Sequence, residues 1–234
     1  MKVGTWNLQQ AAPPGPRAAA QRDAMQALSV DVWLLTEAHL DVRVHGQDIT
    51  HSKQRHIKPK QRWSAISSRW PIQPLPSPHE GLALARVASN QGAMLVACSV
   101  MPWRGATTSW PGDPTAKHAV RFAEALTSHR DAIVAARLEG QGVVWGGDFN
   151  QALAGPEKAG STAGRGLLRD AFADLHLLCP TVDLDHRIPT LKTIDHIAVS
   201  DHLGTALGVI LMPTWPDGRA LSDHAAYVVD ITAS

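Results

Sequence analysis

The sequence has only two cysteines, Cys98 and Cys179, too few for a disulfide framework and without the spacing of a metal pair. Both lie in apolar surroundings, which predicts reduced, buried thiols. No apolar run reaches the ~18 residues of a membrane helix, and no basic amphipathic helix marks a lipid surface. Membrane insertion is not expected. The chain enters the strand-like Lys2-Val3-Gly4-Thr5-Trp6 almost at once, without a signal-type apolar core, so cytoplasm is the default expectation. Charge is nearly balanced, with 22 Lys and Arg against 21 Asp and Glu. That excludes a global positive field of the kind that advertises nucleic-acid binding. Internal repeats, low-complexity tracts and composition shifts are absent, so residues 1–234 are expected to form a single α/β domain. The twelve histidines lack the His-Glu-x-x-His spacing of a zinc site.

One local absence stands out. Between Ile49 and His79 there is no acidic residue, while Lys53, Arg55, Lys58, Lys60, Arg62 and Arg69 all fall inside. Such a run is either a solvated basic loop or an arm that touches phosphate, with His51 and His56 adding charge on protonation.

What is present is a series of strands with polar ends. Residues 2–7 alternate and end in Asn7. A Pro-rich turn leads to a helix over 17–28, and strand 31–36 ends in Glu37, which together make a βαβ-like opening. Further expected elements are strand 63–68 and a proline-rich link over 71–78. A hairpin of 82–87 and 93–101 follows, turned by Ser89-Asn90-Gln91-Gly92. Beyond it come a loop to about Pro114 and a long amphipathic helix over 115–138. The apolar run Val143-Val144-Trp145 then leads into Gly146-Gly147-Asp148-Phe149-Asn150. Loop 151–164, helix 165–176, strands 193–199 and 207–212, and a closing strand 225–230 complete the chain.

The Gly146–Asn150 stretch organises the rest. Paired glycines allow close backbone approach, and the strand end delivers an Asp and an Asn to one side of the chain. A carboxylate can take a proton or hold a hard cation, and an amide can orient a phosphate or lend its oxygen. An Asx turn explains Asp-x-Asn equally well on its own. Asp195, with the structural His196 on the opposite face, and the Ser222-Asp223-His224 turn add further polar tips.

Five segments, GTWN, LLTE, GGDFN, TIDHIAVS and LSDH, together resemble the endonuclease/exonuclease/phosphatase superfamily, and SAISSRWPI resembles its strand ending in Ser-Arg-x-Pro. The resemblance covers residue 3 to about 230. It implies a four-layer α/β sandwich, with two packed mixed β-sheets and helices outside (deoxyribonuclease I-like). It also implies a divalent-metal-dependent phosphodiesterase, most plainly a nuclease acting on DNA or RNA. A phosphatase on a small phosphomonoester or lipid headgroup, or a binding module with weakened catalysis, are the alternatives. Glu37, Asn7 and Asp223 would hold Mg²⁺ (or Mn²⁺) through oxygen. Asp148 would activate the attacking water, with Asn150 positioning water or phosphate. His224 would bind a phosphoryl oxygen, oriented by Asp195. Both Asp148 and His224 are expected to face a solvent-filled cleft. Arg69, Arg104 and Trp215 are expected to contact substrate, and the partner is nucleic acid or a small phosphoester. Two departures stand beside this likeness. Gln9 occupies a place where exonuclease-like members carry a carboxylate. Strand 93–101 ends in Cys98-Ser99-Val100-Met101 where many members present a His or Tyr, leaving Arg104 or His118 to reach in.

Overall fold

Alternation at the N-terminus builds β1 (Lys2–Asn7), and Pro16 at the first helical turn starts α1 (Pro16–Leu28), where its missing N–H costs nothing. The structure is a computed structural model that describes residues 1–90 and 92–232. Gln91, placed in the expected hairpin turn, lies outside the described residues.

The first sheet continues with β2 (Val32–His39), β3 (Asp48–His51), β4 (Gln54–Arg55), β5 (Lys58–Ser68), β12 (Thr205–Leu211) and β13 (Ala226–Thr232). Its order is β12-β13-β1-β2-β5-β3, with β4 paired to β5. The second sheet holds β6 (Ile72–Leu75), β7 (Leu82–Ser89), β8 (Gly92–Val100), β9 (Val143–Asp148), β10 (Leu177–Leu178) and β11 (Asp195–Ser200) in the order β10-β11-β9-β8-β7-β6. Helices α2 (His118–Ala136) and α3 (Thr162–Asp174) cover its outer face. None of the described helices is long and apolar enough to cross a membrane.

Three apolar layers account for the stacking. Val3, Leu34, Ile66 and Val229 of the first sheet meet Ala85, Val96, Val144 and Ile197 of the second. Outside the second sheet, Trp145 packs edge-on against Phe149 and Phe172, with ring centroids 5.6 and 5.5 Å away. Outside the first, Trp6, Trp33 and Leu35 cover Met25 of α1. The expected four-layer α/β sandwich of two mixed sheets is therefore the observed fold.

Three stretches differ from the sequence reading. The expected basic loop contains β3, β4 and the first half of β5. Pairing with β2 and β3 on its two sides stabilises β5 whatever the charge of its outward side chains. The proline-rich link holds β6, an edge strand, where Pro74 is tolerated because an edge residue need not donate to a neighbour. The two-residue β10 was too short to show a period.

The Gly146-Gly147 pair explains how the layers close around the site. Gly147 has φ +130°, and a Cβ there would stand 2.1 Å from the Ser99 carbonyl oxygen on β8. At Gly146 a Cβ would press on Leu34 of the facing sheet at 2.7 Å. Both contacts require bare backbone.

Candidate active site

The site forms where strand ends of the two sheets meet. Asp148 at the end of β9 is the register partner of Asp195 at the start of β11, so antiparallel pairing sets the two carboxylates side by side. Asn7, ending β1 in the other sheet, donates from Nδ2 to Asp148 Oδ2 at 2.9 Å. The Asn150 backbone N–H donates to Asp148 Oδ1 at 2.9 Å, and Asn150 Nδ2 donates to the Met101 carbonyl at 2.9 Å. The Asx turn is therefore real, and it also fixes both residues at the cleft. The two readings of Asp-x-Asn are not exclusive.

His224 completes the group. Its Nδ1 donates to Asp195 Oδ2 at 2.7 Å, and ligand atoms of Asp148, Asp195 and His224 all lie within 4.8 Å of one another. Burial opposes charge on this imidazole, but Asp195 and then Asp148 raise it to about 10, so it is an imidazolium at neutral pH. Burial, and then the adjacent Asp195, push the Asp148 carboxyl up to about 7. Asp195 is wholly buried, and its Oδ1 has no partner among the described residues. The expected solvent-filled setting needs correction. Asp148 is only 3% exposed and lies behind the cleft lining, while the His224 side chain, 14% exposed, reaches the cleft.

The β1 end is flanked by the other oxygen donors. Asn7 pairs with Thr36, one residue before Glu37, while Ser222 Oγ donates to the Asn7 carbonyl at 2.6 Å and so docks the Ser222-Asp223-His224 turn. The Glu37 carboxylate accepts from Gln10 Nε2 at 2.9 Å, and Lys58 Nζ in turn holds Gln10 Oε1. Lys58 thus brings one point of the basic segment to this edge. Arg55 also stands near enough to feel the Glu37 charge, but it is turned into the fold. Arg55 is buried with its guanidinium 3.4 Å from the Trp63 ring.

The Gln9 side-chain oxygen is taken by Arg17 Nη1 at 3.0 Å, and its backbone N–H donates to Asn7 Oδ1 at 2.8 Å. Ser99 faces the α2 side, where it meets His129 Nδ1 at 3.0 Å and accepts from Trp145 Nε1 at 2.8 Å. His118 contacts the Pro102 carbonyl rather than the cleft. Arg69 is paired with Asp31 at 2.9 Å, at the beginning of β2. Because β5 runs antiparallel to β2, its last residues lie at the edge opposite Glu37, so Arg69 does not join the group. Trp215 is half-buried against the α1 layer, with Arg219 over its ring at 6.0 Å, and does not line the cleft.

The cleft itself has a volume of about 380 Å³. It is lined by Asn150, Asp223 and His224, by Trp103 and Arg104, and by His186, Ile188 and Lys192. Arg104 is fixed by Nη2 donating to the Gly160 carbonyl at 2.6 Å. Of the sequence-derived residues, Asn7, Asp148, Asn150, Asp195 and His224 are thus joined by contacts with one another, Asn150, Asp223, His224 and Arg104 line the cleft, and Glu37 stands at the neighbouring strand end, bonded to Gln10. Lys158, His186 and Lys192 carried no periodic or motif signal, because an irregular loop delivers each of them.

The fold also holds uncharged histidines away from the cleft, with a consequence for acid stability. Burial lowers His196, on the far face of β11, to about 4, and holds the enclosed His129 well below its ordinary value. His79 and His51 are lowered to about 4, again chiefly by burial. Unfolded histidines bind protons near 6.5, so between pH 6.5 and 4 the unfolded state holds more protons and stability falls on acidification. His196 alone accounts for about 3 kcal/mol at pH 4. Asp148, raised rather than lowered, works the opposite way but is one group against several. Guanidinium unfolding at pH 7.0 and 4.5 is expected to show several kcal/mol lost at the lower pH. Equal stability at both would mean that these histidines are not buried neutral.

Comparison with known proteins follows the same lines. Residues 4–224 match the family model described as "Endonuclease/Exonuclease/phosphatase family". No curated protein matches the chain by sequence. Among solved structures, an AP endonuclease from Archaeoglobus fulgidus superposes with TM-score 0.70 at 13% identity, covering 100% of each chain. A 3'-5' exonuclease (NExo) from Neisseria meningitidis gives TM-score 0.67 at 22% identity, over 99% of each chain. A further structure from Neisseria, described as a variant of the 3' phosphatase NExo bound to product DNA hairpin, gives 0.67 at 21%, again over 99% of each. These likenesses carry the fold, and the family model spans nearly the whole sequence. The chain belongs to the endonuclease/exonuclease/phosphatase family.

Proposed function

We propose that this phosphoric-ester hydrolase is a divalent-metal-dependent phosphodiesterase, a nuclease that cleaves DNA or RNA by in-line attack of a water activated by Asp148. The observation that carries the reading is the Asp195–His224 ion pair, its ligand atoms within 4.8 Å of that of Asp148, with His224 presented to the cleft. An imidazolium donor and a carboxyl near neutral pKa, so close together, suit a phosphorus centre that gains negative charge while water loses a proton. Asp148 takes that proton on a carboxylate oxygen, its carboxylate held in orientation by Asn7 on Oδ2 and the Asn150 backbone N–H on Oδ1. Asn150 aligns the water, and His224 donates from Nε2 to a phosphoryl oxygen while Asp195 preserves its charge. Arg104 offers a further cation in the cleft lining.

The donor set also fits a hard cation. Both Asp148 oxygens are taken by Asn7 and Asn150, Asp195 Oδ2 is taken by His224 and only its enclosed Oδ1 is open, and an imidazolium cannot ligate a metal, so that trio is a poor cage. Glu37 and Asp223, on segments flanking Asn7, would supply the carboxylate oxygens that Mg²⁺ or Mn²⁺ takes, and the Asn7 amide oxygen, which accepts the Gln9 N–H at 2.8 Å, would have to exchange that bond to join them. Bound there, the ion would neutralise charge on the phosphoryl and leaving oxygens. The unpaired thiols Cys98 and Cys179 suit the cytoplasm, which belongs to this proposal.

A phosphomonoesterase is the second reading, supported by the limited volume of the cleft and by the 3' phosphatase description of one structural relative. Incubation with DNA, RNA, bis-p-nitrophenyl phosphate and p-nitrophenyl phosphate tests both, with Mg²⁺ or Mn²⁺ and with chelator. Diester and polynucleotide cleavage that stops with chelator and returns with Mg²⁺ is the expected result. Monoester release alone would transfer the conclusion to the second reading. Polynucleotide binding without any turnover would make the protein a binding module.

A further inference from the structure

We propose that His186 is a substrate-binding residue, a neutral imidazole that donates its Nε2–H to a phosphoryl oxygen held beside His224. The inference rests on the phosphoester reading above for the identity of the ligand, and on geometry for the donor.

His186 is 9% exposed, lines the cleft, and stands edge-on to His224 with ring centroids 5.9 Å apart. Its Nδ1 accepts the backbone N–H of Ile188 at 2.8 Å. A nitrogen that accepts a hydrogen bond carries no proton, so the neutral ring holds its hydrogen on Nε2. No described residue meets Nε2, which leaves this donor available to whatever fills the cleft.

The loop that carries His186 is built rather than loose. Asp185 and Lys192 form a backbone bridge, and the His186 N–H donates to the Leu191 carbonyl at 2.9 Å. Lys192 Nζ reaches back to the Asp183 carbonyl and to Asp185 Oδ1, at 2.8 and 2.9 Å. The Tyr227 hydroxyl of β13 donates to the Asp185 carbonyl at 2.9 Å, tying the loop to the strand that follows His224. A donor on such a braced loop loses little freedom when a ligand arrives. Two adjacent imidazoles in the cleft lining then divide the work. His224 brings a full charge, and His186 brings an uncharged donor that adds direction without repelling its neighbour.

Histidine-labelled protein tests this by nitrogen NMR. The expected spectrum shows His186 as the Nε2–H tautomer, and titration with inorganic phosphate shifts its Nε2 and attached proton in a saturable way. An Nδ1–H tautomer, or an Nε2 signal unmoved by phosphate, would overturn the proposal. Neither readout needs turnover, so a wild-type protein that hydrolyses nothing would defeat the functional reading alone. In the diester assay, His186→Phe keeps the ring packing and loses the donor. It is expected to lower kcat/KM about 10–100-fold, as loss of a hydrogen bond to a charged group does. His186→Gln, which restores an N–H near the same point, is expected to recover part of that loss. If His186→Phe retains kcat/KM within twofold, or if both variants lose activity equally with a lowered Tm, the role is packing and the proposal fails.

Discussion

Asp148→Asn is expected to lower kcat on a phosphodiester by about three orders of magnitude while moving Tm by only a few degrees. The large kinetic effect follows from the role of the carboxylate. An amide cannot take a proton from water, and positioned general-base catalysis contributes about 10²–10⁴ in rate. The small effect on stability follows from two opposed terms. The amide keeps one oxygen for the Asn150 N–H at the position of Asp148 Oδ1, but its NH₂ then confronts the donating Asn7 Nδ2. That conflict costs roughly 1–2 kcal/mol. Against it, a carboxylate whose burial disfavours its charge has been removed from the interior. A second readout separates base catalysis from folding. Asp148 is one of the charges that raise His224, so the His224 titration should move down in the variant. A variant that keeps more than a tenth of the wild-type kcat would remove Asp148 from the proton-transfer step.

His224→Ala carries a different signature, because both activity and stability are expected to fall. Removing the imidazolium takes away a donor aimed at the phosphoryl oxygen, a loss of about 10²–10³ in kcat. It also strips Asp195 Oδ2 of its 2.7 Å partner while Oδ1 is already without one. A buried carboxylate left alone costs about 3–5 kcal/mol. The sequence alone suggests a residue facing a water-filled cleft, whose removal would spare the fold. The wholly buried Asp195 behind it changes that expectation. Adding Asp195→Asn to His224→Ala removes the stranded charge, so the double variant should regain most of the stability and none of the activity. Denaturant unfolding and kcat on the same preparations measure both. A single variant as stable as wild type would show that the pair does not anchor β11 to the β13 entry, and recovery of turnover in the double variant would contradict the role of His224.

The legible parts of this protein were those in which chemistry sits at the end of a regular element. Asn7, Glu37, Asp148 and Asp195 each sit in a short apolar strand that makes them visible, and the resemblance of those segments to one family, rather than alternation, is what implied a shared rim. The Ser222-Asp223-His224 turn was legible through its motif, although its docking on the Asn7 carbonyl is visible only in three dimensions. Arg69 shows where such reading stops. Its Ser-Arg-x-Pro context pointed to the site, yet the direction of β5 relative to β2 decides which rim it reaches, and no local pattern encodes that direction. Trp215 failed for a related reason, since packing against the α1 layer competes with stacking on substrate for the same ring. The basic stretch read as loop because charge masked a strand whose stability comes from neighbours on both sides. His186 was silent because its place depends on a bridge between Asp185 and Lys192 that closes an irregular loop.

Turnover of a chiral p-nitrophenyl thymidine phosphorothioate in ¹⁸O-labelled water tests most directly whether water at Asp148 attacks phosphorus in line. The account predicts that the nucleotide product carries one solvent oxygen on phosphorus, with inversion of configuration. Retention of configuration, which requires a covalent phosphoryl-enzyme and two displacements, would contradict it.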